Sequence, residues 1–154
     1  DQEVARGPMS VLDASVILKW FLNEDGSDRA VQLREEFFRG RREIVVPDLL
    51  LMEVANALRY NPTFDVKEIR EAIETLFDIG IVIVTPTCSL LARAIELAKS
   101  LDVTCYDAIY LALAEELDFE FITADKKFWE RVREEPGLSV RLLADIDDNQ
   151  PNRT

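Results

Sequence analysis

The stretch from residue 10 to residue 22 reads SVLDASVILKWFL, and it contains the unit from which the fold is predicted. Its first three residues form a short apolar run that ends at Asp13, which is typical of a buried β-strand. The residues that follow carry apolar side chains at helical spacing, which predicts a helix over 14–22. A strand that passes directly into a helix is the repeating unit of parallel α/β folds.

The same alternation of β-branched runs and helical segments continues along the chain. Further strands are predicted over 44–46, 81–84, 119–122 and 138–142, and further helices over 28–39, 49–60, 65–78, 87–100, 104–117 and 126–133. The run at 81–84 is entirely β-branched, which predicts a strand buried on both faces. The sequence therefore predicts an α/β fold with three layers, in which helices cover both faces of a central parallel sheet of about five strands.

The length of 154 residues, with 48% hydrophobic residues, suits one domain with its own core. We expect this domain to span residues 9–145, between a tag or extension at 1–8 and an acidic tail at 146–154. No apolar stretch approaches the roughly 20 residues of a membrane span, and no secretion signal is evident. A cytoplasmic protein is expected, with Cys88 and Cys105 as buried free thiols and a disulfide as the alternative.

The charge balance and the absence of histidine exclude several classes of protein. The chain has 18 basic and 30 acidic residues, a formal net charge of −12, which argues against broad binding to nucleic acid or membranes. Without histidine, Ser-His-Asp and Cys-His hydrolases and histidine-ligated zinc sites are excluded. The surplus of carboxylates raises the question whether some of them surround a cation.

Four acidic residues stand at positions that suggest a site. Asp13 and Asp125 directly follow predicted strands, where ligands of parallel sheets bind, although each is also a good N-cap for the next helix. Glu53 lies in an almost wholly apolar helix without a cation at helical spacing, so a buried carboxylate there needs a partner or a metal. Asp107 lies in the first turn of the most apolar helix, where a capping box with Thr104 is the structural alternative.

Together, the four carboxylates point to metal chemistry if the fold gathers them in one pocket. Their repulsion would raise the pKa of each carboxyl group unless a cation neutralised them. Hard oxygen ligands select Mg²⁺ or Mn²⁺, and such ions polarise a phosphoryl oxygen and generate hydroxide for in-line attack. This chemistry needs no histidine.

The sequence around these acids resembles the PIN domain, and within that family the small VapC-type toxins of bacterial and archaeal toxin–antitoxin pairs. The resemblance is carried by four motifs in the family's order, VLDAS at 11–15, EVANAL at 53–58, YDAIYLA at 106–112 and TADKKF at 123–128. No single motif is specific, but their combination is, and the match covers residues 9–143.

The resemblance implies a PIN-like sheet fold and a Mg²⁺- or Mn²⁺-dependent endoribonuclease. It also implies a homodimer and a cognate antitoxin protein that blocks the acidic site. The residues that it implies as catalytic and metal-binding are Asp13, Glu53, Asp107 and Asp125. Whether one or two metal ions take part stays open.

Five further residues are expected near this site. Ser15 and Thr123 match supporting hydroxyl positions of the family, with ordinary helix capping as the alternative for both. Asn56 is expected to support a ligand through its amide group. Lys126 and Lys127 adjoin the fourth motif and are candidates for contacts to RNA phosphates, although nearby glutamates also fit a mixed solvated face.

Two other classes of protein remain open at this stage. An acidic α/β domain of this kind could hold a cation or a basic peptide without catalysing a reaction. A phosphoacceptor domain is less consistent with the sequence. A haloacid-dehalogenase-like site needs a second aspartate where Ser15 stands, and a receiver-like site needs one at the end of the third strand, where Thr85 stands.

Overall fold

The fold is built on a five-stranded sheet in which all neighbouring strands are parallel. The computed structural model describes residues 7–146. The strands are β1 Met9–Leu12, β2 Glu43–Pro47, β3 Val82–Val84, β4 Glu120–Thr123 and β5 Val140–Leu142. Their order across the sheet is β3-β2-β1-β4-β5. The chain therefore adds strands on one side of β1 first, and then returns to add β4 and β5 on the other side.

Helices cover both faces of this sheet, which confirms the three-layer α/β/α prediction. Those of the described residues are α1 Ala14–Ile17, α2 Ser27–Phe38, α3 Leu49–Arg59, α4 Val66–Asp78, α5 Cys88–Leu101, α6 Cys105–Leu117 and α7 Lys126–Val132. Two 3-10 turns, Leu18–Trp20 and Leu143–Asp145, complete the structure. None of the helices within residues 7–146 is long and apolar enough to cross a membrane.

Helix α6 lies at the centre of the core. Residues 108–114 are all buried, so this part of the helix has no solvent face. The helix packs against α5 and against the three central strands β1, β2 and β4. A helix that is apolar all round belongs in the core, and this one fixes the position of its own first turn beside the sheet.

Three of the expectations from the sequence are wrong in detail. The helix predicted over 14–22 is a short α1 followed by a 3-10 turn, which lets Trp20 Nε1 donate to Ala30 O of α2 at 2.8 Å. Strand β3 is an edge strand with Val82 54% exposed, because its β-branched residues reflect strand preference rather than burial. Cys88 and Cys105 are free but exposed, since each begins a helix at the surface.

The two predicted terminal segments lie largely outside the described residues. Of the segment at 1–8, only residues 7 and 8 are described, and of the tail at 146–154, only residue 146. The extent of the folded domain at both ends therefore stays a prediction.

The start of α4 provides a test of local sequence signals. Asp65 accepts a hydrogen bond from Glu68 N–H at 2.8 Å, and Glu68 Oε1 accepts one from Asp65 N–H at 3.2 Å, which is a complete capping box. We expect Asp65→Ala to lower the free energy of unfolding by about 1 kcal/mol. Urea denaturation measures this, with Asp78→Ala at the far end of the helix as the control. An equal loss in both variants would contradict the role of the cap.

Candidate active site

The site lies where the strand order reverses, at the carboxyl ends of β1 and β4. Strand β1 pairs with β2 on one side and with β4 on the other. Such a reversal opens a crevice in which α/β proteins bind ligands. Asp13 follows β1 at this point, and Asp125 lies two residues beyond the end of β4.

Four carboxylates from the four sequence motifs line one cleft of about 180 Å³ at this edge. Asp13 comes from the end of β1, Glu53 from α3, Asp107 from the first turn of α6 and Asp125 from the residue before α7. The cleft is completed by Ala14, Ser15, Tyr110 and Phe128. Residues far apart in sequence, and separated by whole helices, thus contribute acidic side chains to one small space.

Hydroxyl groups hold both oxygens of the Asp13 carboxylate. Ser15 Oγ donates to Oδ1 at 2.5 Å, and Thr123 Oγ1 donates to Oδ2 at 2.5 Å. The two hydroxyls are themselves fixed, because Ser15 Oγ accepts from Ala124 N–H at 2.8 Å and Thr123 Oγ1 accepts from Asp125 N–H at 3.1 Å. The loops after β1 and β4 are therefore tied together through this carboxylate, and its orientation is set by both strands.

The two strand-end aspartates cap helices and line the cleft at the same time. Asp13 Oδ1 accepts from Val16 N–H at 3.3 Å at the start of α1. Asp125 Oδ1 accepts from Phe128 N–H at 3.0 Å at the start of α7. The capping interpretation is therefore confirmed for both residues, and their role as ligands stays a prediction.

The Asp13 carboxylate is held in an environment that favours its neutral form. Burial raises the pKa of Asp13 to about 6, against the hydrogen bonds from Ser15, Thr123 and the Val16 backbone, which lower it. The negative charge of Asp107 adds to the rise. A site that is unfavourable for an isolated anion is favourable for an anion paired with a cation.

Glu53 has a partner that the sequence interpretation missed. Tyr110 Oη donates to Glu53 Oε1 at 2.6 Å, and Tyr110 itself is only 2% exposed. Burial raises the pKa of Glu53, the hydrogen bond from Tyr110 lowers it, and the charge of Asp107 raises it. Helical spacing in the sequence could have placed Tyr110 near the site, because it lies three residues after Asp107 and so shares the same face of α6.

Asp107 is anchored by its backbone, which leaves its carboxylate to the cleft. Its N–H donates to Thr104 Oγ1 at 3.1 Å, so that Thr104 caps α6. Burial raises the pKa of the Asp107 carboxyl group, a hydrogen bond with Thr104 lowers it, and the charge of Asp125 raises it. Helix capping by Thr104 thus explains the hydrogen bond of the Asp107 backbone. It explains only part of the environment of the Asp107 carboxylate, which is also shaped by burial and by the charge of Asp125.

Replacing Tyr110 by phenylalanine tests whether it positions Glu53. We expect Tyr110→Phe to raise the pKa of Glu53 further, because the donor that favours the carboxylate is gone. The lost hydrogen bond should lower the free energy of unfolding by about 1 kcal/mol. NMR titration of the glutamate carboxyl carbons and urea denaturation measure the two effects. The exposed Tyr60→Phe serves as the control, and an unchanged Glu53 titration would contradict the assignment.

The remaining predicted residues lie around the cleft rather than in it. Asn56 is exposed on α3 and is not among the residues that line the cleft. Lys126 and Lys127 are exposed in the first turn of α7. Lys127 lines a neighbouring groove.

The donor set of the cleft suits a hard divalent cation. Four of the lining side chains are carboxylates, and no basic side chain is among the described residues that line the cleft. The carboxylates are not drawn together around one point, since within residues 7–146 no three acidic or thiol side chains are arranged to hold a metal ion. Burial is the main cause that raises the pKa of Asp13, Glu53 and Asp107, and a neighbouring carboxylate adds to each rise, so each of the three is disfavoured as an isolated anion.

Comparisons with known proteins agree with the fold. A family model described as PIN domain matches residues 10–135. Similar solved structures include VapBC2 from Rickettsia felis bound to a promoter DNA fragment, with 12% identity, a TM-score of 0.66 and coverage of 87% of this chain and 98% of that chain. A toxin–antitoxin complex from Klebsiella pneumoniae has 18% identity, a TM-score of 0.63 and coverage of 84% and 94%.

A third similar structure is VapC20 from Mycobacterium tuberculosis, a sarcin–ricin loop cleaving toxin. It has 13% identity, a TM-score of 0.63 and coverage of 80% of this chain and 95% of that chain. No curated protein sequence matches the chain significantly. At these identities the solved structures establish a common fold, while the family model covers most of the sequence.

Proposed function

This chain belongs to the PIN-domain family, and from that premise we propose that it is a metal-dependent endoribonuclease, a hydrolase that cleaves RNA phosphodiester bonds. We propose further that it is the toxin of a VapBC-type toxin–antitoxin pair. The observation that carries the proposal is the convergence of four carboxylates, from four separate elements, on one cleft at the carboxyl edge of the sheet.

The polar side chains in and beside the cleft have parts in the proposed reaction. Asp13, Glu53, Asp107 and Asp125 would hold Mg²⁺ or Mn²⁺, which when bound polarises a phosphoryl oxygen and lowers the pKa of water. Ser15 and Thr123 fix both oxygens of the Asp13 carboxylate in one orientation.

Glu53 is the residue best suited to accept a proton. Tyr110 donates to its Oε1, and burial raises the pKa of Glu53, which makes it a stronger base than an exposed glutamate. In this role Glu53 would take a proton from the attacking water while the other three carboxylates hold the cation. As a ligand it would instead share the cation with them, and the same hydrogen bond from Tyr110 would orient it.

The proposed partners are an RNA substrate, a cognate antitoxin and a second copy of this chain, in the cytoplasm. The Klebsiella structure is a toxin–antitoxin complex, and VapC20 is described as cleaving the sarcin–ricin loop, which supports an antitoxin and an RNA substrate by analogy of fold. An antitoxin would complement the acidic cleft with a basic segment, whose arginine or lysine stands in for the metal.

Cleavage of structured RNA tests the proposal. The protein is incubated with the RNA in Mg²⁺ or Mn²⁺ and then in EDTA, beside Asp13→Asn, Asp107→Asn and the control Asp78→Asn, which lies on an exposed part of α4. We expect cleavage by the wild type and the control in metal only, and none by the two site variants. Cleavage that persists in EDTA, or in both site variants, would overturn the metal-nuclease mechanism.

The same samples discriminate the two rival functions. A cation-binding module would bind Mn²⁺ at the cleft and leave every RNA class intact. A phosphoacceptor would incorporate label from acetyl phosphate at Asp13. Either result would replace the nuclease proposal.

A further inference from the structure

A separate pocket, here called the arginine pocket, lies at the amino edge of the sheet, where the strands begin. Its volume is about 340 Å³. Its wall is built by the residue before β1, by the last turns of α2 and by the turn into β2, and the lining residues are Pro8, Gln32, Glu35, Glu36, Arg39, Arg41 and Arg42. The acidic cleft lies at the carboxyl edge, and within the described residues the two concavities have no lining residue in common.

The turn at the end of α2 places two arginines on this pocket. Gly40 N–H donates to Phe37 O at 3.0 Å, and Arg41 N–H donates to Glu36 O at 2.8 Å, which together form a Schellman motif. Gly40 has a φ of 70°, in the left-handed region that this motif requires. Arg39 and Arg41 stand on either side of Gly40, and both are exposed and line the pocket.

A third arginine of the pocket, Arg42, is buried and held in one orientation. Its exposed fraction is only 7%. Its Nε donates to Glu36 Oε2 at 2.7 Å, and its Nη1 donates to Ser10 Oγ at 2.5 Å and lies 3.9 Å from Glu120 Oε1. Because Ser10 is a fully buried residue of β1, the guanidinium group is fixed to the sheet. Its Nη2 makes no hydrogen bond with any residue of the described part and is the donor left for a ligand.

The balance of charge in the arginine pocket is positive. The glutamates of its wall already have arginine partners, which are Arg42 for Glu36 and, at 3.8 Å, Arg34 for Glu35. By contrast, the guanidinium groups of Arg39 and Arg41 make no hydrogen bond or ion pair with residues 7–146. Two guanidinium groups without a counter-charge, beside a third that is already oriented, suit a compact anion with several acceptor oxygens.

The surroundings of the pocket favour a small phosphate over a strand of nucleic acid. Glu35 is in the wall, and the exposed Glu43 adjoins Arg42 in the chain. These carboxylates and the net charge of −12 would repel a polyanion that extends beyond the pocket, whereas a small anion interacts mainly with the arginines. The volume of the pocket lies within the roughly 300–1,000 Å³ of small-ligand sites.

We propose that the arginine pocket binds a small dianionic phosphate, either inorganic phosphate or the monoester group of a mononucleotide, with the phosphate oxygens on Arg39, Arg41 and Arg42. Each guanidinium group directs N–H donors at the oxygens, and Arg42 sets the position of the phosphate because its own orientation is fixed. The site goes beyond the proposed nuclease function, since it lies at the opposite edge of the sheet from the acidic cleft.

Titration of the protein in EDTA tests the proposal. The probes are inorganic phosphate, adenosine monophosphate and adenosine, each at an ionic strength held constant with chloride. The NMR signals of the arginine Nε–Hε groups report the Kd and identify the arginines that respond. The variants are Arg39→Gln and Arg41→Gln, whose exposed side chains the fold does not need. The controls are Arg70→Gln on the exposed surface of α4 and Arg131→Gln beside the acidic cleft.

We expect saturable binding of inorganic phosphate with a Kd on the order of 1 mM, the strength of about two charge-assisted hydrogen bonds. Adenosine monophosphate should bind at least as tightly, and adenosine should not bind, because the phosphate is the group recognised. Each pocket variant should raise the Kd about 10-fold, the loss of about one charge-assisted hydrogen bond. Both controls should retain the Kd of the wild type within about twofold.

Three results would overturn the proposal. The wild type binds neither phosphate saturably, or the pocket variants bind as tightly as the wild type, or Arg131→Gln alone loses binding, which would place the phosphate beside the cleft. A single-stranded oligoribonucleotide is the last probe. If it binds in a manner that the pocket variants lose while the small phosphates do not bind, the arginines form an RNA surface instead. Since no measurement involves a metal ion or RNA cleavage, failure of the nuclease proposal would leave the test of the pocket unaffected.

Discussion

The Asp13→Asn variant is expected to lose at least about 100-fold in the rate of RNA cleavage while becoming more stable than the wild type. The loss follows from the position of Asp13, whose carboxylate lies in the cleft with both oxygens oriented by Ser15 and Thr123. Asparagine preserves the size of the side chain and can accept at one oxygen only. It removes the negative charge that a divalent cation needs.

The gain in stability follows from the direction of the pKa shift. The folded-state pKa of Asp13 is about 6, above its ordinary value of 3.8, so the folded protein holds this proton more tightly than the unfolded chain does. In EDTA, ionisation of Asp13 therefore destabilises the wild type progressively as the pH rises from 3.8 to about 6. The penalty is fully developed above the folded-state pKa, and its size is on the order of 3 kcal/mol.

Asparagine carries no charge and escapes this penalty, but it weakens one of the two hydroxyl hydrogen bonds at a cost of about 1 kcal/mol. We therefore expect the free energy of unfolding of Asp13→Asn to exceed that of the wild type by about 2 kcal/mol at pH 8 in EDTA. Below the unfolded-state pKa, where Asp13 is protonated in both states, this advantage should disappear. Urea denaturation at low and at high pH measures the difference in the free energy of unfolding between the variant and the wild type under both conditions.

The control for this experiment is Asp78→Asn, which changes the same chemical group on an exposed part of α4. It should leave cleavage unchanged and show no gain in stability that depends on pH in this window. A purely structural role for Asp13 predicts the opposite pattern. Its replacement would then destabilise the fold at all pH values, and any loss of activity would follow the loss of folded protein.

The parts of the molecule that the sequence predicts well are those set by local patterns. Short β-branched runs alternate with amphipathic or apolar helices, and that pattern alone predicts a parallel sheet between two helical layers. The positions of Asp13 and Asp125 after strands are equally local, because any acid there faces the carboxyl edge of such a sheet. Where local preference and burial disagree, as at Val82 on the edge strand β3, the sequence pattern predicts the strand correctly and its environment wrongly.

The contacts that shape the cleft depend on pairings that no local pattern contains. Ser15 and Thr123 meet at Asp13 only because β1 lies beside β4 in a register that pairs Leu12 with Ile122. Tyr110 has the sequence environment of a core residue in an apolar helix, and its hydroxyl gains a hydrogen-bond partner only because α3 brings Glu53 to it, 57 positions away in sequence. The sequence thus predicts the four carboxylates that line the cleft, and the tertiary structure determines how they are oriented.

Direct binding of a divalent cation is expected to stabilise the wild type by about 2.7 kcal/mol when Mn²⁺ is present at 100 times its Kd. The reason is that burial disfavours the anionic forms of Asp13, Glu53 and Asp107, which would gain from a cation in the folded state alone. The measurement is the free energy of unfolding in urea with Mn²⁺ and with EDTA, so it needs no RNA and no catalytic turnover. Mg²⁺ in a parallel titration shows whether the site distinguishes the two ions.

The stabilisation should depend on pH and on Asp13. A carboxylate must lose its proton to act as a ligand, and burial holds the pKa of Asp13 at about 6, so the effect of Mn²⁺ should shrink as the pH falls through that value. Asp13→Asn should remove most of the effect at every pH, whereas Asp78→Asn should retain it. If Mn²⁺ stabilises Asp13→Asn as strongly as the wild type, the ion binds elsewhere and the cleft is not the metal site. If the wild type shows no stabilisation at neutral pH, the carboxylates serve the fold without a cation, and the nuclease mechanism loses its physical basis.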